Sequence, residues 1–416
     1  MNLLLSCIVS FIMILISLKN RAFGILMVLL LLPTYLIRFS VFDIPMTLLE
    51  MMILALFVTF LIQEGKALWK YVILPQWYHY CIVLFIIAGI VSLFITPQLR
   101  AGAGFWKAYI IEPILFFIVF IHTMKTERDI YRIIAVLGIS ASIIGIIAVI
   151  QYYTGWNIPD AWYALPNRRA TGIYGYPNAV GLYLAPITVL LWSILVLRKT
   201  VISRIWYLLG SMGVVICIAG LASARVDGAI IGALAGMGVV LLCTRWRFIM
   251  IACFVLGLIV ALWYEPTRQV LLFQDVSGDV RVALWKGTLN LLYHQPLFGA
   301  GLGGFPEMYN IYRLPSHIEL LLYPHNIFLD FWVELGLIGL FWIVAVLIFF
   351  FFHSVRAAIK EKQWLGVSLT AVMTCVVVYG FVDVPYFKND LAVLFWTLLG
   401  LLYMLIHKKS QNTDIR

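Results

Sequence analysis

Apolar residues in this chain come in long unbroken blocks rather than in alternation. The blocks lie near 2–18, 23–40, 46–63, 78–96, 105–122, 131–152, 178–197, 205–222, 226–243, 247–263, 326–352, 363–384 and 391–407. Most are about 17 to 25 residues long, the length at which an α-helix crosses a bilayer. The pattern predicts an all-α polytopic membrane protein with about 12–13 transmembrane helices, twelve if the first segment lies flat or pairs as a hairpin. A transmembrane β-barrel would show short alternating segments instead.

The polar residues between the blocks assign the sides. Lys66 and Lys70, then Lys125, Arg128 and Arg132, then Arg198, Lys199 and Arg204, then Arg245 and Arg247, fall in every second connection, together with "HSVRAAIKEKQ" and the "HKKSQ" tail. The positive-inside rule makes that side, and the C-terminus with it, cytoplasmic. The other connections face outward: "TPQLRAGAG", a stretch of about 25 residues up to Asn178, "SARVD", a loop of about 60 residues before His325, and "DVPYFKND". No internal repeat or Pro/Ser-rich linker divides the chain, so residues 1–416 are expected to form a single membrane domain.

Composition agrees with this pattern. The chain is 63% hydrophobic and only 12% charged, against about 25% charged in soluble domains. It has 29 Lys+Arg against 19 Asp+Glu, net +10. In a soluble protein that excess would suggest nucleic acid; here cytoplasmic loops account for much of it, and no nucleic-acid partner is expected. The six cysteines (Cys7, Cys81, Cys217, Cys243, Cys253 and Cys375) all sit in apolar runs with no CxxC pair, and read as small core residues. The apolar N-terminus lacks a basic leader and a small-residue cleavage site, and reads as an uncleaved first helix.

Candidate chemistry collects on the outward face. Arg168 and Arg169 stand in "ALPNRRATGIYGYPNAVGLYLAP", Arg225 in "ASARVDGA", Arg281 in "DVRVALWKGTLNLL", and His325 closes the long loop. Singly, each arginine reads as a headgroup contact and His325 as a helix cap. Asp330 and Glu334 are four residues apart and share a helix face; they read either as a tie between helices or as part of a site. Together these residues fit a water-filled, outward-opening cavity. "FGAGLGGF" has GxGxxG spacing at Gly299, Gly301 and Gly304, but no strand precedes it, so a tight turn is expected rather than a dinucleotide site. Asp275 and Asp279 in "DVSGD" are a possible divalent-metal pair that lacks further ligands, and neither a metal nor a cofactor is expected. Several arginines suit a lipid phosphate or diphosphate. A neighbouring histidine suits proton transfer from a hydroxyl. These parts fit glycosyl transfer from a lipid diphosphate.

"RRATGIYGYPNAVGLYL", "SARVDGA", "RVALWKGTLNLLYHQPLFGAGLGGF" and "PHNIFLDFWVELGLIGL", in that order, resemble the O-antigen ligase and O-antigen polymerase superfamily in its ligase-like core. The resemblance covers roughly Asn157 to Phe352, including the extracytoplasmic loop 264–325. It implies a GT-C-type, metal-independent, inverting glycosyltransferase in the cytoplasmic (inner) membrane. It implies a polyprenyl-diphosphate-linked glycan donor and a glycan, lipid or protein acceptor. By position, the arginine of the RxxG…PN motif falls on Arg169 with Arg168 beside it, and the next two on Arg225 and Arg281. These would hold the donor diphosphate. The motif histidine falls on His325, as base or positioner of the acceptor hydroxyl, with Arg281 also at the catalytic centre. Asn178, Asn326, Asp330 and Glu334 fall in supporting places. "SARVD" departs from the Ser-Arg-Gly of many members, so a different local turn is expected there. A polysaccharide polymerase shares the same core, and a flippase for the lipid-linked glycan is the rival from another class. The absence of repeats favours an enzyme over a transporter.

Overall fold

The computed structural model describes residues 2–41, 44–65, 75–315 and 321–407. Lys66, Lys70 and the tail after His407 lie outside them. The described residues are overwhelmingly helical, as expected of an all-α polytopic membrane protein. Seven helices are long and apolar enough to cross a membrane: Gln76–Leu93, Leu99–Thr123, Glu127–Thr154, Pro177–Leu197, Arg204–Ala224, Ile327–Ile359 and Asn389–His407. Arg247–Trp263 and Glu265–His294 form a pair bent by 101° and bring the count to eight if taken as one span. Leu4–Lys19, Arg21–Leu30, Asp227–Leu242 and Trp364–Gly380 are apolar but shorter. At 1.5 Å per residue they fall short of the roughly 30 Å hydrocarbon core.

The apolar block at 23–40 is not one helix. Helix Arg21–Leu30 stops, a 3-10 turn covers Leu32–Leu36, and an antiparallel ribbon pairs Arg38–Val41 with Ile44–Thr47. Pro33 sits at the start of the 3-10 turn, where it has no N–H to continue the ladder. Helix Leu48–Glu64 then starts on a capping box: Thr47 accepts from the Glu50 N–H and the Glu50 carboxylate accepts from the Thr47 N–H. The "TPQLRAGAG" connection is largely helical, because Leu99–Trp106 runs through a π-helical turn at Lys107–Ile111 into Glu112–Thr123. Helix Ile327–Ile359 extends past 352 to take in "HSVRAAI".

The Pro177–Leu197 and Asn389–His407 helices are the most enclosed, each with 83% of its apolar window buried. The last span accordingly packs apolar residues on all sides, with Trp396, Leu399 and Leu402 sealed. The long loop before His325 has a small core of its own. Leu284, Leu291, Phe305 and Tyr309 pack with Val333 of the Ile327–Ile359 helix.

That helix is broken at Gly336, whose φ of 66° and ψ of −168° are not helical. The break frees the Val333 carbonyl to accept from the N–H groups of Ala300 (2.8 Å) and Gly301 (3.2 Å), while the Leu337 N–H donates to Leu297 O (2.9 Å). The glycine-rich turn is thus a plug in a helix break. A Cβ on Gly299 would lie 2.3 Å from Val333 O, and one on Gly336 2.4 Å from Leu297 O. This close backbone approach explains the spacing that resembles a nucleotide motif.

Candidate functional site

The connections that the sequence reading expects to face outward converge beside the N-terminus of the Ile327–Ile359 helix. Asn326 caps that helix: its Oδ1 accepts from the Phe328 and Leu329 N–H groups, and its Nδ2 donates to Phe381 O at 3.1 Å. His325 precedes the cap with φ 49°, in the left-handed region. Two contacts hold this turn. The Tyr323 ring lies 4.3 Å from the imidazole, and Trp285 Nε1 donates to Pro324 O at 3.0 Å.

His325 Nδ1 stands 3.3 Å from Asp383 Oδ1, an ion-pair separation whose angles fall short of an aligned hydrogen bond. Asp383 is fully buried in the connection between helices Trp364–Gly380 and Asn389–His407. Its Oδ2 accepts from Asn178 Nδ2 at 2.8 Å and from the Tyr379 hydroxyl at 3.4 Å; its Oδ1 accepts from the Val384 N–H at 2.8 Å. Burial works to raise its pKa, but His325, the Val384 N–H and Arg281 outweigh that and hold it below the usual carboxylate value. Arg281 itself donates from Nε to Val382 O at 3.2 Å.

Arg169 joins the same network from the other side. Its Nη2 reaches Asn178 Oδ1 at 3.5 Å, its Nε donates to Ala224 O at 3.1 Å, and its guanidinium lies 5.0 Å over the Trp162 ring. The neighbouring loop is fixed by Gln151, whose side chain takes the Thr171 and Gly172 N–H groups and donates to Gly172 O. Arg169, Asn178, Asp383, His325 and Arg281 therefore form one connected polar set drawn from five parts of the chain.

The remaining expected residues divide. Arg168 is buried and engaged elsewhere. It donates to Tyr163 O and Tyr152 O, each at 3.1 Å, and lies against the Tyr163 ring. It closes the end of helix Glu127–Thr154, which gives it a structural task rather than a free fork. Arg225 is exposed and donates to Pro166 O at 2.9 Å; it ends helix Arg204–Ala224 in the left-handed conformation (φ 51°). The next residue, Val226, where the resemblance would place a glycine, is extended (φ −106°, ψ 94°). Glu334 Oε2 accepts from the Gly303 N–H at 2.6 Å, and the Ser92 hydroxyl bridges Glu334 O (2.6 Å) and the Leu302 N–H (2.7 Å). Glu334 thus ties the glycine-rich turn to its helix. Asp330 is sealed, and neither carboxylate oxygen has a hydrogen-bond partner among the described residues. Asp275 caps helix Val276–His294 through the Ser277 and Gly278 N–H groups, with Asp279 in the first turn. Among the described residues no three His, Cys, Asp or Glu side chains converge as metal ligands.

Three residues near this centre were not singled out from the sequence. Asp383 is one. Lys388 and Asp390 are the others: Lys388 Nζ lies 3.7 Å from Asp390 Oδ1 and faces the rings of Tyr35, Tyr174 and Tyr176 at 5.3, 4.2 and 5.8 Å. All three lie in "FVDVPYFKND", which reads as a connection. The signal there was two acids and a lysine at the edge of otherwise apolar sequence.

Comparison with known proteins bears on this arrangement. The family model described as O-antigen ligase matches residues 179–344, consistent with the O-antigen ligase superfamily. That stretch holds Arg225, Arg281, His325, Asn326, Asp330 and Glu334, while Arg168, Arg169, Asn178 and Asp383 flank it. No curated protein matches the chain significantly. The apolar helices mark a multi-pass membrane protein, and the match supports an O-antigen ligase-like or polymerase-type function in general terms.

Proposed function

We propose that the protein is a glycosyltransferase that moves a glycan from a polyprenyl-diphosphate donor to an acceptor hydroxyl at the outer face of the cytoplasmic membrane, with its C-terminus in the cytoplasm. The observation that carries this reading is the convergence of Arg169 and Arg281 with the His325–Asp383 pair through Asn178. Arg169 and Arg281 supply positive charge where a diphosphate would lie, and Arg225 stands at the rim. Burial lowers the Arg169 pKa from its ordinary value, against the pull of Asp227; a guanidinium nonetheless keeps its charge.

Nδ1 of His325 faces Asp383, which leaves Nε2 to accept a proton. The acceptor oxygen attacks the anomeric carbon as the bond to the diphosphate oxygen breaks. The hydroxyl proton passes to Nε2. The leaving diphosphate carries away the electron pair and is met by the arginines. Attack opposite the leaving group gives inversion. Asp383 stabilises the imidazolium and fixes the ring. No residue in this account calls on a metal.

Transfer in proteoliposomes from an undecaprenyl-diphosphate glycan, with and without EDTA and across a panel of acceptors, tests the reading. Transfer that survives EDTA and disappears in Arg169→Ala and His325→Ala is expected. An acceptor that is itself a lipid-linked repeat would identify a polymerase. Movement of the donor between leaflets without transfer would overturn the enzyme reading.

A further inference from the structure

A second concave site lies at the opposite end of the bundle. Helix Pro177–Leu197 carries Asn178 in its first turn, and its last turns open on a cavity of about 560 Å³. The distance along the helix axis from Asn178 to Trp192 is about 20 Å, so this cavity is separate from the site around His325. Its walls come from the end of that helix, the first half of helix Arg204–Ala224, and the Thr244–Trp246 turn.

The lining is amphipathic in a directional way. Leu195 and Val214, both buried, and the half-buried Val196 form the inner wall, Val215 lies exposed at its edge, and Lys199 and Arg245 stand exposed at the mouth. No aspartate or glutamate lines the cavity. Neither Lys199 nor Arg245 has an acidic partner among the described residues, in contrast to nearby Arg198, which pairs with Glu127 at 2.8 Å. Trp192, Tyr207 and Trp246 ring the space, as aromatic side chains do at the membrane–water boundary.

From this we propose that the cavity binds a glycerophospholipid with an anionic headgroup from the leaflet opposite the His325 face. One acyl chain would lie against Val214 and Val215, and the phosphate between Lys199 and Arg245. Charge selects the headgroup. An anionic lipid meets two uncompensated cations, whereas a zwitterionic lipid brings an ammonium that has no acid to meet. The rings that could receive such an ammonium are already covered: Lys199 Nζ lies 5.6 Å over Tyr207 and the Arg245 guanidinium 5.1 Å over Trp246. Basic pockets between helices at this level are suited to such lipids. The inference does not depend on the glycosyltransferase reading.

The test is native mass spectrometry of the purified full chain titrated with phosphatidylglycerol or phosphatidylcholine, alongside thermal unfolding with each lipid and with inorganic phosphate alone. Preferential retention of phosphatidylglycerol is expected. It should weaken roughly 30-fold in Lys199→Gln/Arg245→Gln, the loss of two surface-level charges. Val196→Trp, which adds bulk to the half-buried wall and keeps both charges, should also lose the lipid and serves should the double variant fold poorly. Equal retention of the two lipids, or undiminished phosphatidylglycerol binding in both variants, would overturn the proposal. So would stabilisation by inorganic phosphate equal to that by the lipid, which would reduce the site to a phosphate contact.

Discussion

Asp383 gathers four groups at one carboxylate, two from distant parts of the chain, His325 Nδ1 at 3.3 Å and Asn178 Nδ2 at 2.8 Å, and two local, the Tyr379 hydroxyl at 3.4 Å and the Val384 N–H at 2.8 Å. It is the point at which the two halves of the candidate site meet. If His325 is the base, Asp383→Asn should lower turnover roughly 10²–10⁴-fold, as expected when the ring loses its orienting charge. Normal turnover in a folded Asp383→Asn protein would exclude this role.

The same carboxylate predicts an acid limb in stability. Its folded pKa lies below the ordinary value, so its contribution is complete above about pH 4 and is lost as pH falls through the depressed value. Thermal unfolding of the purified protein should therefore drop steeply in the most acid samples. Asp383→Asn should flatten that drop and leave the neutral limb shaped as before.

Arg168 and Arg169 should separate cleanly. Arg168→Ala removes a buried charge donating to the Tyr152 and Tyr163 carbonyls and should cost about 2–3 kcal/mol of stability. Arg169→Ala should leave the unfolding midpoint nearly unchanged and lower transfer roughly 10²–10³-fold. Paired unfolding and transfer assays give the comparison. Identical behaviour of the two variants would contradict the division of tasks.

Gly336→Ala and Gly299→Ala should each destabilise by about 2 kcal/mol or more. Both glycines have positive φ, and an added Cβ would collide with a backbone carbonyl rather than a mobile side chain. Proteolysis within the long outward loop should accelerate in both variants.

Glu334→Gln keeps an oxygen for the Gly303 N–H and should preserve both stability and turnover. Glu334→Ala leaves that N–H unpaired and should cost about 1–3 kcal/mol. A large loss of turnover in a stable Glu334→Gln protein would instead assign the carboxylate a chemical task.

Much of this architecture can be read from the chain because a bilayer admits few solutions. An apolar block between charged turns becomes a helix, and blocks such as 178–197, 247–263 and 391–407 match helices to within a residue or two. The block at 23–40 deceived because hydropathy does not register Pro33 or the pairing of Arg38 with Thr47. The site was legible where arginines broke a charge rule. It was not legible at Asp383, because nothing local in "FVDVPYFKND" reveals that its acid lies against a histidine more than fifty residues earlier. Nor does "RR" say which arginine caps a helix and which faces Asn178; that depends on the carbonyls at the end of helix Glu127–Thr154.

The break at Gly336 also limits how the outward loop can open. Its glycine-rich segment is stitched into a membrane helix by three backbone hydrogen bonds, and helix Val276–His294 is held by Arg281 and Trp285. Among the described residues the segment 264–275 has no comparable tether, and the Arg247–Trp263 helix before it buries none of its residues. The tethering is therefore one-sided, like a door with its hinge at the glycine turn and its free edge toward Arg247–Trp263. A bulky lipid-borne substrate would approach from that free edge, sideways out of the bilayer.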